Sequence, residues 1–213
     1  MLNNFTFKDF KNQLAENKQL RLITYTSVAL LAGFILYIAY YQFIWTPSNE
    51  KSKDAYWAGL NYAAKDSTDL AIQELEPAVK KYDGKSGGEL AQFVLARQYM
   101  TKGSFQKAID ELEGTEFEDT YLSVYRLGLQ GDCYSELKKF DKALDLYIEA
   151  AELNANEKTS PEFLFKAALV AEKLNDFEKA SELYTRIKSN YLNFSNSKSI
   201  DKYIARTSNK IVK

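Results

Sequence analysis

Small residues recur along this chain at a nearly constant interval, and this repetition constrains the fold more than any other feature. Two positions each repeat four times, with spacings of 35 to 37 residues. The first position holds Gly59, Ala96, Gly131 and Ala168, and the second holds Ala71, Ala108, Ala143 and Ala180. A period of this length is typical of stacked helix pairs, because each pair buries its apolar face on its neighbours.

Aromatic residues accompany the small ones at fixed offsets, as Phe105, Phe140 and Phe177 show. The small residues let two helices approach closely, and each aromatic ring supplies about 150–250 Å² of buried area. This pattern resembles the tetratricopeptide repeat, most closely at 131–150. We therefore predict an all-α chain that contains an α-solenoid of about four helix pairs and a C-terminal capping helix. The predicted units are 52–83, 89–120, 124–157 and 161–192, with the cap at 196–213.

The amino-acid composition favours a helical fold and excludes several kinds of catalytic and metal site. The chain has only 3 prolines and 9 glycines in 213 residues, which is poor material for turn-rich β folds. It has no histidine, so histidine-based triads and histidine-ligated zinc are excluded. The one cysteine, Cys133, cannot form an internal disulfide. A net charge of −1 gives no reason to expect a nucleic-acid partner.

The segment 22–46 is predicted to be a transmembrane signal anchor. No charged residue lies between Arg21 and Glu50. A helix of this length rises roughly 36 Å, which is enough to cross a hydrocarbon core of ~30 Å. A cleaved signal peptide is disfavoured because the apolar stretch is too long and ends in bulky aromatic residues. Pro47 is predicted to end the helix.

Charge on either side of the anchor predicts its orientation. Lys8, Lys11, Lys18 and Arg21 precede it, whereas Lys51 and Lys53 follow it. Because positive residues stay in the cytoplasm, we place the tail 1–21 inside and residues 50–213 outside. The tail has two alternatives, a short helix on the inner leaflet or a disordered segment.

A glycine-rich stretch, YDGKSGGE, separates the first two units. We interpret Gly84, Gly87 and Gly88 as a turn that lengthens the loop between them. A phosphate-binding loop is the functional alternative, but the Gly-Lys-Ser/Thr ending that such a loop requires is absent.

The order of basic tail, single anchor and four repeats resembles the bacterial YfgM-like family of ancillary SecYEG translocon subunits. The stretches SGGELAQFVLARQYM, GDCYSELKKFDKALDLY and DKYIAR carry this resemblance. It implies a single-pass inner-membrane protein with a periplasmic repeat domain that contacts the channel, emerging polypeptides or periplasmic chaperones. It also implies a protein without catalytic residues, cofactor, metal or small-molecule substrate. An envelope-assembly or stress scaffold unrelated to the channel is the alternative function.

The first helix of each pair is expected to line a concave groove that binds protein segments. The candidate groove residues are Leu90, Phe93, Arg97, Met100, Tyr125, Leu129, Asp132, Glu136, Glu162, Phe165, Leu169 and Glu172. An alternative for each apolar member is packing between neighbouring helices. A carboxylate-based hydrolase using acids such as Asp132, Glu136 and Glu172 is a weaker hypothesis, because a chain with 29 acidic residues offers such pairs by chance.

Overall fold

The structure, a computed structural model, describes residues 6–211 apart from the side chain of Asp9. Every regular element within this range is helical, which confirms the predicted all-α class. The described residues divide into two compact units, one that ends at Glu50 and one that begins at Lys51.

The N-terminal unit is built from consecutive helices. Helix α1 spans Phe7–Glu16 and α2 spans Lys18–Tyr40, followed by a π-helical segment at Tyr41–Trp45. The tail is therefore helical over α1, which was one of its two predicted alternatives. Asn17 starts α2 by accepting the backbone N–H groups of Gln19 and Leu20 at 3.0 and 3.1 Å on its side-chain oxygen. No residue of α2 is buried.

The prediction that Pro47 ends the helix is wrong. Helix α3 spans Thr46–Ala63 and contains Pro47 as its second residue. The helical run continues from the π-helical segment into α3, so the chain stays helical on both sides of Pro47. The hydrogen-bond pattern also changes just before the proline, where the N–H of Thr46 reaches back to the carbonyl of Tyr41.

The second unit contains four helix pairs and thus confirms the predicted solenoid. After α3, the helices are α4 (Thr68–Lys81), α5 (Ser86–Thr101), α6 (Phe105–Glu113), α7 (Thr120–Glu136), α8 (Phe140–Leu153), α9 (Thr159–Lys173) and α10 (Phe177–Asn190). From α4 to α10, each helix packs on the next one along the chain. The core is a layer of alanine, leucine and aromatic side chains between these helices.

The turn inside each pair has one recurring geometry. A residue with positive φ stands at the same place in every turn, namely Asp66, Gly103, Lys138 and Asn175. The residue after it donates its N–H to a carbonyl five residues back, as Ser104 does to Tyr99 at 2.8 Å and Lys139 to Tyr134 at 2.8 Å. This is the Schellman arrangement, which satisfies the last carbonyls of the first helix and reverses the chain.

The repeating small residues lie where the sequence predicts close helix contact. Ala96, Ala168 and all four alanines of the second position have no exposed surface, and Gly59 and Gly131 are buried. A Cβ atom on Gly131 would lie 2.7 Å from Cε1 of Tyr147. One on Gly59 would lie 2.3 Å from Cγ of Leu75. The small residues therefore set the distance between the two helices of a pair.

The glycine-rich stretch between the first two units differs from its prediction. Only Gly84 lies in the turn, with a φ of +65°. Gly87 and Gly88 belong to the first turn of α5 and are buried. A Cβ on Gly87 would lie 2.2 Å from the backbone of Ser52, whose hydroxyl accepts the N–H of Gly87 at 3.0 Å. These two glycines allow close packing, and they do not lengthen the loop.

Two further helices close the C-terminal end of the solenoid. Helix α11 spans Leu192–Lys198 and α12 spans Ile200–Ile211, separated by Ser199 with a φ of +55°. Helix α12 packs on α10 and buries Ile200 and Thr207. This confirms the predicted capping helix and shows that it begins after a left-handed residue.

Ion pairs between residues one repeat apart join successive units. Four such pairs connect residues 33 or 34 positions apart, namely Asp69–Lys102, Asp132–Lys166, Glu152–Arg186 and Glu172–Arg206. Most are exposed enough that each adds only about 0–1 kcal/mol. Their common spacing shows that contacts between successive units join residues about one repeat length apart.

Cys133 lies within the core and has no exposed surface. Burial, with smaller effects of the neighbouring carboxylates of Asp132 and Glu136, raises the pKa of its thiol to about 12. The thiol is therefore neutral at physiological pH and serves as a small apolar side chain.

Candidate protein-binding groove

The first helices of three successive pairs, α5, α7 and α9, enclose a hollow of about 360 Å³, which we call the central groove. Its wall is mostly apolar, with charges from all three helices. The lining residues are Phe93, Arg97, Leu122, Tyr125, Gly128, Leu129, Asp132, Glu162, Phe163 and Lys166. A mostly apolar hollow with a few convergent polar groups is typical of a binding site.

A second hollow of about 590 Å³ adjoins the central groove and is more open. Its lining residues are Met100, Phe105, Asp132, Ser135, Glu136, Tyr147, Lys166, Leu169 and Val170. Asp132 and Lys166 line both hollows. These two side chains thus lie where the two hollows meet, on a longer surface built from α5 to α9.

The Asp132–Lys166 pair is held by a network of short contacts. Lys166 Nζ donates to both carboxylate oxygens of Asp132, at 2.8 and 2.9 Å, and the Tyr147 hydroxyl donates to Oδ1 at 2.6 Å. The ammonium also lies 5.5 Å from the ring centre of Phe163 and 5.6 Å from that of Tyr147. Burial first, and then the Asp132 carboxylate, raises the pKa of Tyr147, so its hydroxyl stays protonated as a donor.

A similar network lies one repeat later, but it belongs to the C-terminal cap. Glu172 Oε1 accepts the Tyr184 hydroxyl at 2.7 Å and the Arg206 guanidinium at 2.6 Å. Phe165 lies beside it, with its ring centre 5.0 Å from that of Tyr203. These contacts join α9 and α10 to α12.

Apart from Leu90, the predicted groove residues therefore lie in three places: the central groove, the second hollow and the contact with the C-terminal cap. Those that line the central groove are Phe93, Arg97, Tyr125, Leu129, Asp132 and Glu162, and those that line the second hollow are Met100, Asp132, Glu136 and Leu169. Phe165 and Glu172 pack against the C-terminal cap, and Leu90 lines neither hollow. Phe93 is only 8% exposed and packs edge-to-face on Phe117, so it supports the groove more than it offers surface.

Sequence reasoning missed four residues of the central groove: Leu122, Gly128, Phe163 and Lys166. Gly128 gave a usable signal, because a glycine inside a helix pattern often marks a close approach. A Cβ there would lie 2.0 Å from the ring of Phe163. Lys166 also had a signal, since it follows Asp132 by 34 residues, close to the repeat length, with the opposite charge.

The acids considered for hydrolysis have other contacts. Asp132 is paired with Lys166, and Glu172 is paired with Arg206 in the cap. Asp132 and Glu136 share the second hollow, whereas Glu172 lies outside it. Within residues 6–211, no group of three or more histidine, cysteine or acidic side chains is placed to hold a metal ion.

Comparison of the sequence with known protein families supports the repeat architecture. The sequence profile of the tetratricopeptide repeat matches residues 126–157, which cover most of α7 and α8. No curated protein is similar enough in sequence to count as a relative.

Several solved structures share the fold at low sequence identity. The MamA protein is 20% identical, with a TM-score of 0.56 over 76% of this chain and 90% of its own. The apo form of RapI is 16% identical, with a TM-score of 0.60 over 84% and 68% of the two chains. A Podosopora anserina putative kinesin light chain with nearly identical TPR-like repeats is 17% identical, with a TM-score of 0.59 over 77% and 87%.

The fold and the groove define an α-solenoid with a mostly apolar hollow between the first helices of successive pairs. More particularly, residues 126–157 carry a tetratricopeptide repeat and the fold is tetratricopeptide-like, and repeats of this kind indicate a protein–protein interaction module. Tetratricopeptide folds are typically non-catalytic scaffolds. One helical run near the N-terminus, within Lys18–Ala63, is long and apolar enough to cross a membrane.

Proposed function

We propose that this protein is a single-pass, membrane-anchored binding module whose repeats lie outside the bacterial cytoplasmic membrane. In that position it serves as an accessory subunit of the Sec protein-export channel and contacts emerging chains or periplasmic chaperones. The observation that carries the proposal is an unburied apolar helix on the same chain as a protein-binding solenoid.

The anchor is supported by the surface of α2. Large apolar side chains there remain mostly exposed, with Leu30 at 75% and Leu36 at 69%. Exposed apolar area costs about 25 cal/mol per Å² in water, so the exposed apolar side chains of this 23-residue helix favour a lipid environment. Tyr41 and Trp45 stack at 4.8 Å beyond its C-terminal end, where aromatic rings suit the headgroup region.

Orientation rests on the charge asymmetry. Four lysine and arginine residues precede α2 or lie in its first turn, and only Lys51 and Lys53 follow closely. The positive-inside rule then leaves the repeats on the outer side. The amphipathic pattern of α1 suits a helix on the inner leaflet.

A membrane anchor and a shallow groove complement each other. Tethering raises the local concentration of the groove at the channel exit to roughly millimolar. Weak affinity for each passing segment is then sufficient, and it also permits release. The specific link to the Sec channel is supported by the order of tail, anchor and repeats that resembles the YfgM-like family.

Protease accessibility tests the topology. We expect protease added to intact spheroplasts to digest the repeats, because residues 50–213 lie outside the membrane. An antibody against the C-terminal region would follow the digestion, with a cytoplasmic protein as the lysis control. Survival of the repeats until the spheroplasts are lysed would place them in the cytoplasm instead.

Site-specific crosslinking tests whether the groove is the binding surface. A photoreactive residue in place of half-buried Leu129 should capture polypeptides in cells, because that side chain lines the central groove. The matched control replaces Glu149, which is exposed on α8 and lines neither hollow. Equal yields at the two positions would show that capture does not depend on the groove.

A further inference from the structure

The central groove carries two charges that have no counterpart within the described chain. Arg97 comes from α5 and is exposed, and Glu162 comes from α9 and is half-buried. Both side chains line the central groove. Within residues 6–211, neither side chain forms an ion pair. Their charges are therefore available to a bound partner.

The other two charges of the groove neutralise each other. Asp132 and Lys166 are joined by two contacts of 2.8 and 2.9 Å, and Tyr147 adds a third contact to the carboxylate. A partner would have to break this network to use either charge, which leaves a partly buried charge unpaired. The groove thus offers one free cation and one free anion, on the helices that flank α7.

Between these charges the surface is apolar. Leu122, Tyr125 and Leu129 of α7 are half-buried, and their exposed parts form the floor. Phe163 lies beneath, with its ring centre 5.8 Å from that of Tyr125 in an edge-to-face contact. At about 360 Å³, the hollow is at the small end of the range of about 300–1,000 Å³ for ligand sites, which suits an anchoring side chain.

We propose that the central groove selects protein segments in which one large apolar residue stands between an acidic and a basic residue. The apolar residue enters the hollow, the acid faces Arg97 and the base faces Glu162. This inference rests on the proposed function as a binding module and adds the chemistry of its partner. Charges at the edge of an apolar site contribute mainly specificity, because a wrong partner meets repulsion.

A charge-reversal matrix tests the proposal with the full-length protein in mild detergent. Three labelled peptides of equal length carry a central phenylalanine flanked by glutamate and lysine, by two glutamates or by two lysines. Fluorescence anisotropy gives the affinity of each peptide. We expect the unmodified protein to prefer the mixed peptide by roughly two- to fivefold per mismatched charge.

Each charge-reversal variant should prefer a different peptide. Arg97→Glu should prefer the peptide with two lysines, and Glu162→Lys the peptide with two glutamates. The double variant should again prefer the mixed peptide, because it restores one charge of each sign. Lys80→Glu on α4 and Glu149→Lys on α8 are matched controls on exposed positions outside the groove, and they should leave the order unchanged.

The outcomes separate this inference from the proposed function. If all variants rank the three peptides alike, or if none of the peptides binds, charge selection by Arg97 and Glu162 is wrong. The binding function itself is judged by crosslinking at position 129, which does not depend on the charges of the peptides. Absence of crosslinking at position 129 would contradict both the binding function and the charge selection.

Discussion

Replacing Gly131 with leucine is expected to lower the free energy of unfolding by about 1–3 kcal/mol, the usual cost of overpacking. Even a Cβ atom there would lie 2.7 and 2.8 Å from two ring carbons of Tyr147. That ring cannot easily move, because it is 3% exposed and its hydroxyl is bound to Asp132. Thermal unfolding followed by circular dichroism should show a melting temperature several degrees lower.

A leucine on the exposed face of α8 provides the control. Glu149→Leu adds a similar side chain at an exposed position, where substitutions usually change stability by less than about 0.5 kcal/mol. Equal melting temperatures for Gly131→Leu and Glu149→Leu would contradict the close helix contact that defines the repeat.

Removing residues 1–49 and exporting the remainder is expected to abolish most membrane association while leaving the solenoid folded. The buried residues of the repeats cluster with one another, and no residue of α2 is buried. Circular dichroism should show an almost wholly helical soluble domain. Cell fractionation should show it free in the periplasm, because its local concentration at the membrane is lost.

A matched control replaces the native anchor with an unrelated single-pass anchor. The same repeats fused to an unrelated single-pass anchor should return to the membrane fraction. If the truncated domain stays membrane-bound without any anchor, the repeats themselves must bind the membrane or a membrane protein tightly.

The repeat architecture could be predicted because its signal is physical and local. Small residues are required wherever two helices approach closely, so Gly131 and Ala143 stand out at fixed spacing. Their burial in the structure follows directly from that requirement. The turns were harder to predict, because Gly103 and Asn175 are typical left-handed residues whereas Lys138 gives no such signal.

Two local features were mispredicted because tertiary context decided them. Gly87 and Gly88 look like loop residues, yet they open a helix that packs on the backbone of Ser52 and Tyr82. Pro47 looks like a helix end, yet it lies in the first turn of α3. Glycine and proline mark backbone constraints, but the sequence does not say whether a turn or a neighbouring helix imposes them.

The groove was predictable only in part, since residues on one helix face can either line a hollow or pack between units. Tyr125 and Leu129 line the groove, whereas Phe165 packs against Tyr203 of the cap. Lys166 was missed because its contribution depends on Asp132 of the preceding repeat, a contact across units. Single-helix periodicity does not report such contacts.

Affinity purification of the full-length protein from mild detergent extracts tests whether the protein is a subunit of the Sec channel. Quantitative mass spectrometry would compare the enrichment of Sec channel subunits with that obtained for an unrelated single-anchor membrane protein expressed at the same level. We expect clear enrichment of channel subunits with the full-length protein, and we expect this enrichment to be lost when residues 1–49 are removed. Enrichment no greater than that of the single-anchor control would contradict the translocon proposal, and a scaffold of envelope assembly would then take its place.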